Sequence, residues 1–195
     1  MNKVRTFIAI ALTDEVRNNL LSIQHRLSET GTKIRWVEHK NLHLTLKFLG
    51  DIYLSNAGDI SQIIEKAVAG VKPFVFEISG TGAFPNLHSP RIVWVGVKKN
   101  VDILANIFNY LNEHLLEYDI PPENRSYVPH ITIGRVKSMS HSGSGNLELR
   151  IKENSEKVFG EVEVKEILLM MSELSPAGPK YTVLSAVRLP WTNTE

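Results

Sequence analysis

The 195-residue chain contains no cysteine. That excludes disulfides, thiolate zinc sites and a cysteine nucleophile, and it is the usage expected of a protein kept in a reducing cytoplasm. An excess of charge is missing too: 22 Lys and Arg stand against 21 Asp and Glu, for a formal net charge of +1. A chain so balanced does not coat nucleic acid by bulk charge, although a locally clustered basic cleft is compatible with it. Long hydrophobic runs are absent as well. The run Phe7 to Leu12 follows basic residues but is too short for a signal-peptide core and leads into an acidic helix start. Nothing approaches the ~20 apolar residues of a membrane span, so a cytoplasmic chain without membrane contact is expected.

The 43% of hydrophobic residues that are present suffice for one globular domain with a real core, or for two small lobes. Periodicity predicts a strand over 4–11 and a helix over 14–29. Thr13 is its N-cap, and Val16, Leu20, Ile23 and Leu27 form its apolar stripe. A short strand follows near Ile34–Val37. Ser55 is expected to cap a helix over 56–70 that turns Ile60, Ile63, Ile64 and Ala67 inward, ahead of a strand over 73–79. "GTGAFPNLHSPR" reads as a loop by its glycines and prolines. A strand over 91–97 and a helix over 101–118, with Leu104, Phe108, Leu111 and Leu115 inside, come next. "SMSHSGSG" (138–145) reads as a flexible connector, followed by a short helix near 146–155 and strands over 161–171 and 181–189.

Two further strands share one pattern. In "NLHLTLKFLG" (41–50), Leu42, Leu44, Leu46 and Phe48 occupy one parity while His43, Thr45 and Lys47 occupy the other. Side chains alternate across a strand, so one face is apolar and the other carries an ordered polar row. A single His-x-Thr is what any half-buried strand with a wet face can show. "YVPHITIGRV" (127–136) repeats it, with His130 and Thr132 on one parity and Ile131 and Ile133 on the other. The spacing of the two copies is shared by their surroundings. Arg5 before "TFIAI" precedes Arg91 before "IVWVGV" by 86 residues, and His43 precedes His130 by 87. The helix near 56 and the strand near 73 recur near 146 and 161. This order predicts an internal duplication: a single domain over 1–195 made of two pseudo-symmetric lobes, whose His-x-Thr rows face each other across a cleft.

Two imidazoles without thiols suit one kind of chemistry well. Imidazole titrates near neutrality, so one ring can be a neutral base while the other is a protonated acid. Such a pair fits in-line displacement at phosphorus, one ring activating the incoming oxygen and the other protonating the leaving oxygen. Hydroxyls of Thr45 and Thr132, on the same faces, would donate to the non-bridging oxygens. Threonine as the nucleophile lacks an adjacent activating group. Zinc catalysis normally takes three protein ligands, and neither motif brings a carboxylate at i+2 or a third histidine; Asp51 suits a turn. No metal and no cofactor are expected. Lys47 shares the His43 face. Arg135 points away with Ile133 by strict parity, unless Gly134 bulges the strand and turns it back to the cleft; a solvated strand-end arginine is the other reading. His25 and His114 are expected on exposed helix surfaces, His39 and His88 are candidates for the cleft border, and His141 belongs to the connector. Phe84, Trp36 and Tyr127 are candidates for stacking on a base, with core packing as the alternative and the first choice for Trp36.

The segments "RTFIAI", "RWVEHKNLHLTLKFLG", "GTGAFPN" with "PRIVWVGV", "YVPHITIGRV" and "SELSPAGPKYTVL" resemble the 2H phosphoesterase superfamily, and within it the RNA 2′,3′-cyclic phosphodiesterases, the 2′-5′ RNA ligase family. The likeness runs from about residue 3 to 190. It implies an α+β, bilobal duplicated fold with two antiparallel sheets lining a central cleft and helices outside. It implies metal-independent hydrolysis of RNA 2′,3′-cyclic phosphate ends; tRNA fragments or oligonucleotides are the expected substrates and a monomer the expected state. In this resemblance His43 is the acid that protonates the leaving 3′-oxygen, leaving a 2′-phosphate, and His130 is the base that activates water. Thr45, Thr132 and Arg135 contact the phosphate. A small cyclic nucleotide or ADP-ribose cyclic phosphate as substrate, and a non-catalytic RNA-end binder, are the alternatives.

Overall fold

The computed structural model describes residues 2–138, 141–176 and 178–190. The first half contains β1 (Lys3–Ala11), α1 (Asp14–Ser28), β2 (Lys33–Trp36), β3 (His43–Tyr53), α2 (Ala57–Ala67) and β4 (Phe74–Phe84). The second contains β5 (Ile92–Lys98), α3 (Val101–His114), β6 (His130–Ser138), α4 (His141–Glu153), β7 (Val158–Val164), β8 (Glu166–Ser175) and β9 (Gly178–Arg188). The strands form two antiparallel sheets in the orders β3-β1-β8-β9 and β2-β6-β5-β4-β7. This is the α+β, two-sheet architecture that the resemblance implies. Each sheet takes one helix from its own half and one from the other. α2 lies on β8 and β9, α4 lies on β4, α1 crosses to β7 and β6, and α3 crosses to β3.

The helices form where the sequence puts an apolar stripe behind a cap. Thr13 accepts the Val16 amide at 3.3 Å, Asp14 and Glu15 occupy the first turn, and His25 and Arg26 the last, all favourable to the helix dipole. Val16, Leu20, Ile23 and Leu27 are buried as the 3.6 period requires, each Leu or Ile contributing about 1.5–3 kcal/mol by its burial. Gln24 is buried in the same stripe and is not a packing residue. Its Nε2 donates to the carbonyls of Val37 at 2.9 Å and Ile133 at 2.8 Å, fastening α1 to the seam between β2 and β6.

Four elements depart from the sequence reading. "GTGAF" is not loop: β4 runs on through Phe84. Gly80 has φ +75° at a break in the β4–β5 register, where a Cβ would meet the Ser155 carbonyl, and the Trp94 ring lies on Gly82 where a Cβ would go. Both glycines answer to close packing within a strand. Ser55 does not cap α2. Its hydroxyl bonds the Asn56 side chain at 3.3 Å, and the helix starts at Ala57 out of a 3-10 turn. α3 ends at His114, and a separate 3-10 turn spans Leu116–Tyr118. The apolar run read as one strand over 161–171 is two. Its buried parity changes at Lys165 from even (Val162, Val164) to odd (Ile167, Leu169), and β7 and β8 join different sheets. The match of the strand near 73 with the strand near 161 fails for the same reason: β4 lies beside β5, β7 is an edge strand on β4, and it is β8 that holds the corresponding place beside β1. Of the connector expected over 138–145, residues 139 and 140 lie outside the described residues, and α4 already runs from His141. Among the described residues no helix is long and apolar enough to cross a membrane.

Candidate active site

β3 and β6 flank the strands that open each half, β1 and β5, and approach each other where the two sheets meet. The two histidines begin these strands and are held alike. His43 Nδ1 lies 2.7 Å from the carbonyl of Asn41, and His130 Nδ1 lies 2.8 Å from the carbonyl of Val128, in each case two residues upstream. A carbonyl can only accept, so Nδ1 keeps its hydrogen in both rings and Nε2 is left free to take or give a proton. Asn41 is itself buried, and its side chain donates to the Pro179 carbonyl at 3.0 Å, which ties the acceptor for His43 to the start of β9.

Each ring sits in an aromatic collar. Phe7 stacks on His43 at 4.8 Å, and Tyr181 meets it edge-on at 5.3 Å. Phe84 meets His130 edge-on at 4.9 Å, with Trp94 at 6.3 Å. These collars remove water. Burial holds the His43 imidazole down at about 4 from its ordinary 6.5, against the upward pull of the Asn41 carbonyl and with a smaller push from Arg17. Burial lowers His130 as well, opposed by the Val128 carbonyl.

A cleft of about 800 Å³ opens between the sheets, with His43, Thr45, Thr132 and Arg135 among its walls. His130 stands beside this cleft, half-buried at the start of β6. Its ring lies in its collar, two residues before Thr132 on the same strand face. A direct bond joins the two motifs: Tyr127, three residues before His130, donates its hydroxyl to the Thr45 carbonyl at 3.0 Å. Its ring stacks on Phe108 at 4.6 Å, which makes Tyr127 a packing residue and removes it as a base platform. Phe84 is engaged with His130. Trp36 lines the cleft and also packs over Gly134.

Beyond each threonine, a bulge decides which side chains reach the cleft. On β3, Thr45 pairs with Ala9 and Lys47 with Ile8, so Leu46 is an extra residue. The alternation slips by one. Lys47, expected beside His43, therefore enters the core, 1% exposed, while Phe48 comes out to the cleft. Lys47 Nζ donates to Asn112 Oδ1 at 2.8 Å and lies 3.6 Å from the Glu123 carboxylate; burial lowers its pKa. On β6, Thr132 pairs with Trp94 and Gly134 with Val93, so Ile133 is the extra residue and Arg135 turns to the cleft. The carbonyl of Ile133 is held there by the Val37 amide at 3.0 Å and by Gln24.

Periodicity alone did not reveal Phe7, Tyr181, Arg5, Arg35 or Lys137 as cleft residues. The signal for Phe7 and Arg5 was the likeness of "RTFIAI" to "RIVWVGV"; for Arg35 and Lys137 none was present in isolation. Arg135 and Arg5 both act on the Tyr181 hydroxyl, opposing the upward push of its burial. His39 and His88 do not line the cleft; His88 pairs with Glu148 at 2.9 Å. His25 and His114 are exposed. Among the described residues no group of three His, Cys, Asp or Glu is placed to hold a metal ion.

The family described as LigT like Phosphoesterase matches twice in tandem, over residues 10–94 and 95–181. A protein of Methanothermobacter thermautotrophicus named RNA 2′,3′-cyclic phosphodiesterase is 36% identical over 187 residues, covering 96% of this chain and 100% of the relative. The protein of the same name in Thermotoga maritima is 35% identical, covering 93% of each. A crystal structure from Thermus thermophilus superposes with a TM-score of 0.77 at 30% identity, covering 95% of this chain and 97% of that one. Escherichia coli LigT complexed with 3′-AMP gives a TM-score of 0.74 at 23% identity over 97% and 100% of the two chains, a likeness of fold alone. On both the tandem match and the full-length relatives, the chain belongs to the LigT like Phosphoesterase family, within the 2H phosphoesterase superfamily.

Proposed function

We propose that this protein opens 2′,3′-cyclic phosphate ends of RNA to 2′-phosphates, without metal, by acid–base catalysis between His43 and His130. The observation that carries the reading is the matched tethering of two imidazoles on approaching strands, each with Nδ1 bound to a backbone carbonyl and Nε2 free. The names of the full-length relatives supply the substrate class. His130 Nε2 takes a proton from water as the water oxygen attacks phosphorus. The bond from phosphorus to the 3′-oxygen breaks on the opposite side, and His43 Nε2–H gives that oxygen its proton. Thr45, Thr132 and Arg135 donate to the non-bridging oxygens, where charge gathers as the fifth bond forms. Turnover is completed when solvent restores the two proton states. The same attack with a 5′-hydroxyl in place of water, its proton going to His130 and the 3′-oxygen leaving, would join two ends weakly by a 2′-5′ linkage.

The proton inventory has one demand. The free protein at neutral pH carries His43 uncharged, because burial holds it at about 4. A bound phosphodiester brings a negative charge next to the ring and favours imidazolium, so His43 takes up its proton together with the substrate. The two approaching strands and the tandem family match over residues 10–94 and 95–181 support a single two-lobed domain, and its action as a monomer is part of the proposal. The test is incubation with an oligonucleotide ending in a 2′,3′-cyclic phosphate, the products separated against authentic 2′- and 3′-phosphate standards. A 2′-phosphate product is expected. No ring opening would overturn the activity, and a dominant 3′-phosphate would exchange the roles of His43 and His130.

A further inference from the structure

The cleft is two-faced in a way the reacting centre does not use. On the wall made by β2 and β6 stand Arg35, Arg135 and Lys137; on the wall made by β3, β1 and β8 stand Phe48, 59% exposed, and Leu174, 73% exposed, with the cation Arg5 on β1 between those strands. Arg35 and Arg135 are directly paired across the β2–β6 ladder, an unfavourable placement for like charges. None of the three cations on the β2–β6 wall has an ion-pair partner among the described residues. Glu38, the carboxylate of the cleft wall, is engaged by Lys40 at 3.1 Å. An anion between the arginines relieves the repulsion, and Lys137 continues the same row two residues further along β6, roughly 6–7 Å away. At about 800 Å³ the cleft is also at the large end of the ~300–1,000 Å³ usual for a site that buries a small ligand.

A ligand with regularly spaced negative charges along one side and flat apolar groups along the other matches both walls. Single-stranded nucleic acid has that form. Building on the proposed action at RNA ends, we infer that the cleft also holds the strand leading into the cyclic phosphate. Its upstream phosphates lie on Arg35 and Lys137, and its unpaired bases lie against Phe48 and Leu174. The protein thereby selects a polynucleotide end over a mononucleotide. Phe48 reaches this wall only because of the bulge at Leu46, which exchanges it with Lys47.

The test is a binding measurement that does not depend on turnover. Fluorescence anisotropy is used to compare a single-stranded pentanucleotide ending in a 2′-phosphate with 2′-AMP as competitor, across a salt series. Wild type should bind the pentanucleotide more tightly than the mononucleotide. Arg35→Ala with Lys137→Ala should shrink that preference about tenfold and flatten the slope of log Kd against log salt by roughly 1.4, about 0.7 for each lost phosphate contact. Phe48→Ala should weaken the pentanucleotide at least about fivefold and leave the salt slope in place. Equal affinity for the two ligands in wild type, or an unchanged preference in the double variant, would overturn the inference. Length-dependent binding by a protein that opens no cyclic phosphate would overturn the proposed activity and leave this strand-binding role standing.

Discussion

At the scale of single residues, the site is a set of groups whose neighbours have removed every use but one. His43 and His130 each spend Nδ1 on a carbonyl and present Nε2, so their replacement removes a proton transfer and little else. His43→Ala and His130→Ala should each lower turnover by at least ~10²–10⁴-fold, with circular dichroism unchanged. A variant of either that keeps more than about a tenth of the wild-type rate would sink the assignment. Arg135 should behave differently. Its guanidinium holds two oxygens in one plane, so Arg135→Ala should lower kcat and raise KM, and Arg135→Lys should recover only part of the loss. Steady-state kinetics decide it, since full rescue by lysine would reduce Arg135 to a point charge. Thr45 and Thr132 stand on the same faces as their histidines, as the alternation of each strand required up to that position.

At the scale of elements, the sequence was legible wherever one period ran unbroken. The apolar stripe of α1, its Thr13 cap and the paired His-x-Thr strands all follow from local patterns that packing had no reason to override. Legibility ended at the bulges. A one-residue insertion reverses the side chains that follow it, on β3 until a second extra residue, Leu49, restores the alternation, and no local feature of "HLTLKF" marks Leu46 as the first. On β6 the mark was present, in Gly134, because the space beside it is taken: a Cβ there would lie 2.6 Å from Ile34 Cγ2 and 2.8 Å from the Trp36 ring. The buried Gln24 was a second mark, a polar side chain in an apolar stripe with a backbone partner to hold. Gly134→Ala should push Trp36 and β2 off the seam, costing ~1–3 kcal/mol in chemical denaturation and lowering kcat/KM by re-aiming Arg135. Wild-type stability together with wild-type kinetics would show that Arg135 owes its aim to something other than this packing.

At the scale of the whole molecule, two half-buried imidazoles make both activity and folding answer to pH. The described residues offer no three-ligand cluster, so activity should be unaffected by EDTA; loss on chelation with recovery on added zinc or manganese would count against a two-histidine mechanism. kcat/KM reports the free protein, in which both rings titrate below the ordinary 6.5, so its bell should lie on the acid side of that value, with the kcat profile moved upward by the bound phosphate. A kcat/KM profile centred above pH 7 would contradict the burial of the two rings. Stability carries the same signature with a definite sign. The unfolded chain binds a proton at His43 near pH 6.5, whereas the folded chain does so only at about 4. Between those values the unfolded state holds more protons, so stability rises with pH. The contribution is whole above about 6.5 and is lost progressively as pH falls to about 4, amounting to roughly 3 kcal/mol over the window, with His130 adding in the same direction. His43→Gln removes the titrating group and keeps a polar side chain at the site. Urea denaturation at pH 4.5 and 7 should therefore show a smaller difference in the variant than in wild type, and equal differences would mean that the His43 ring is solvated in the folded protein.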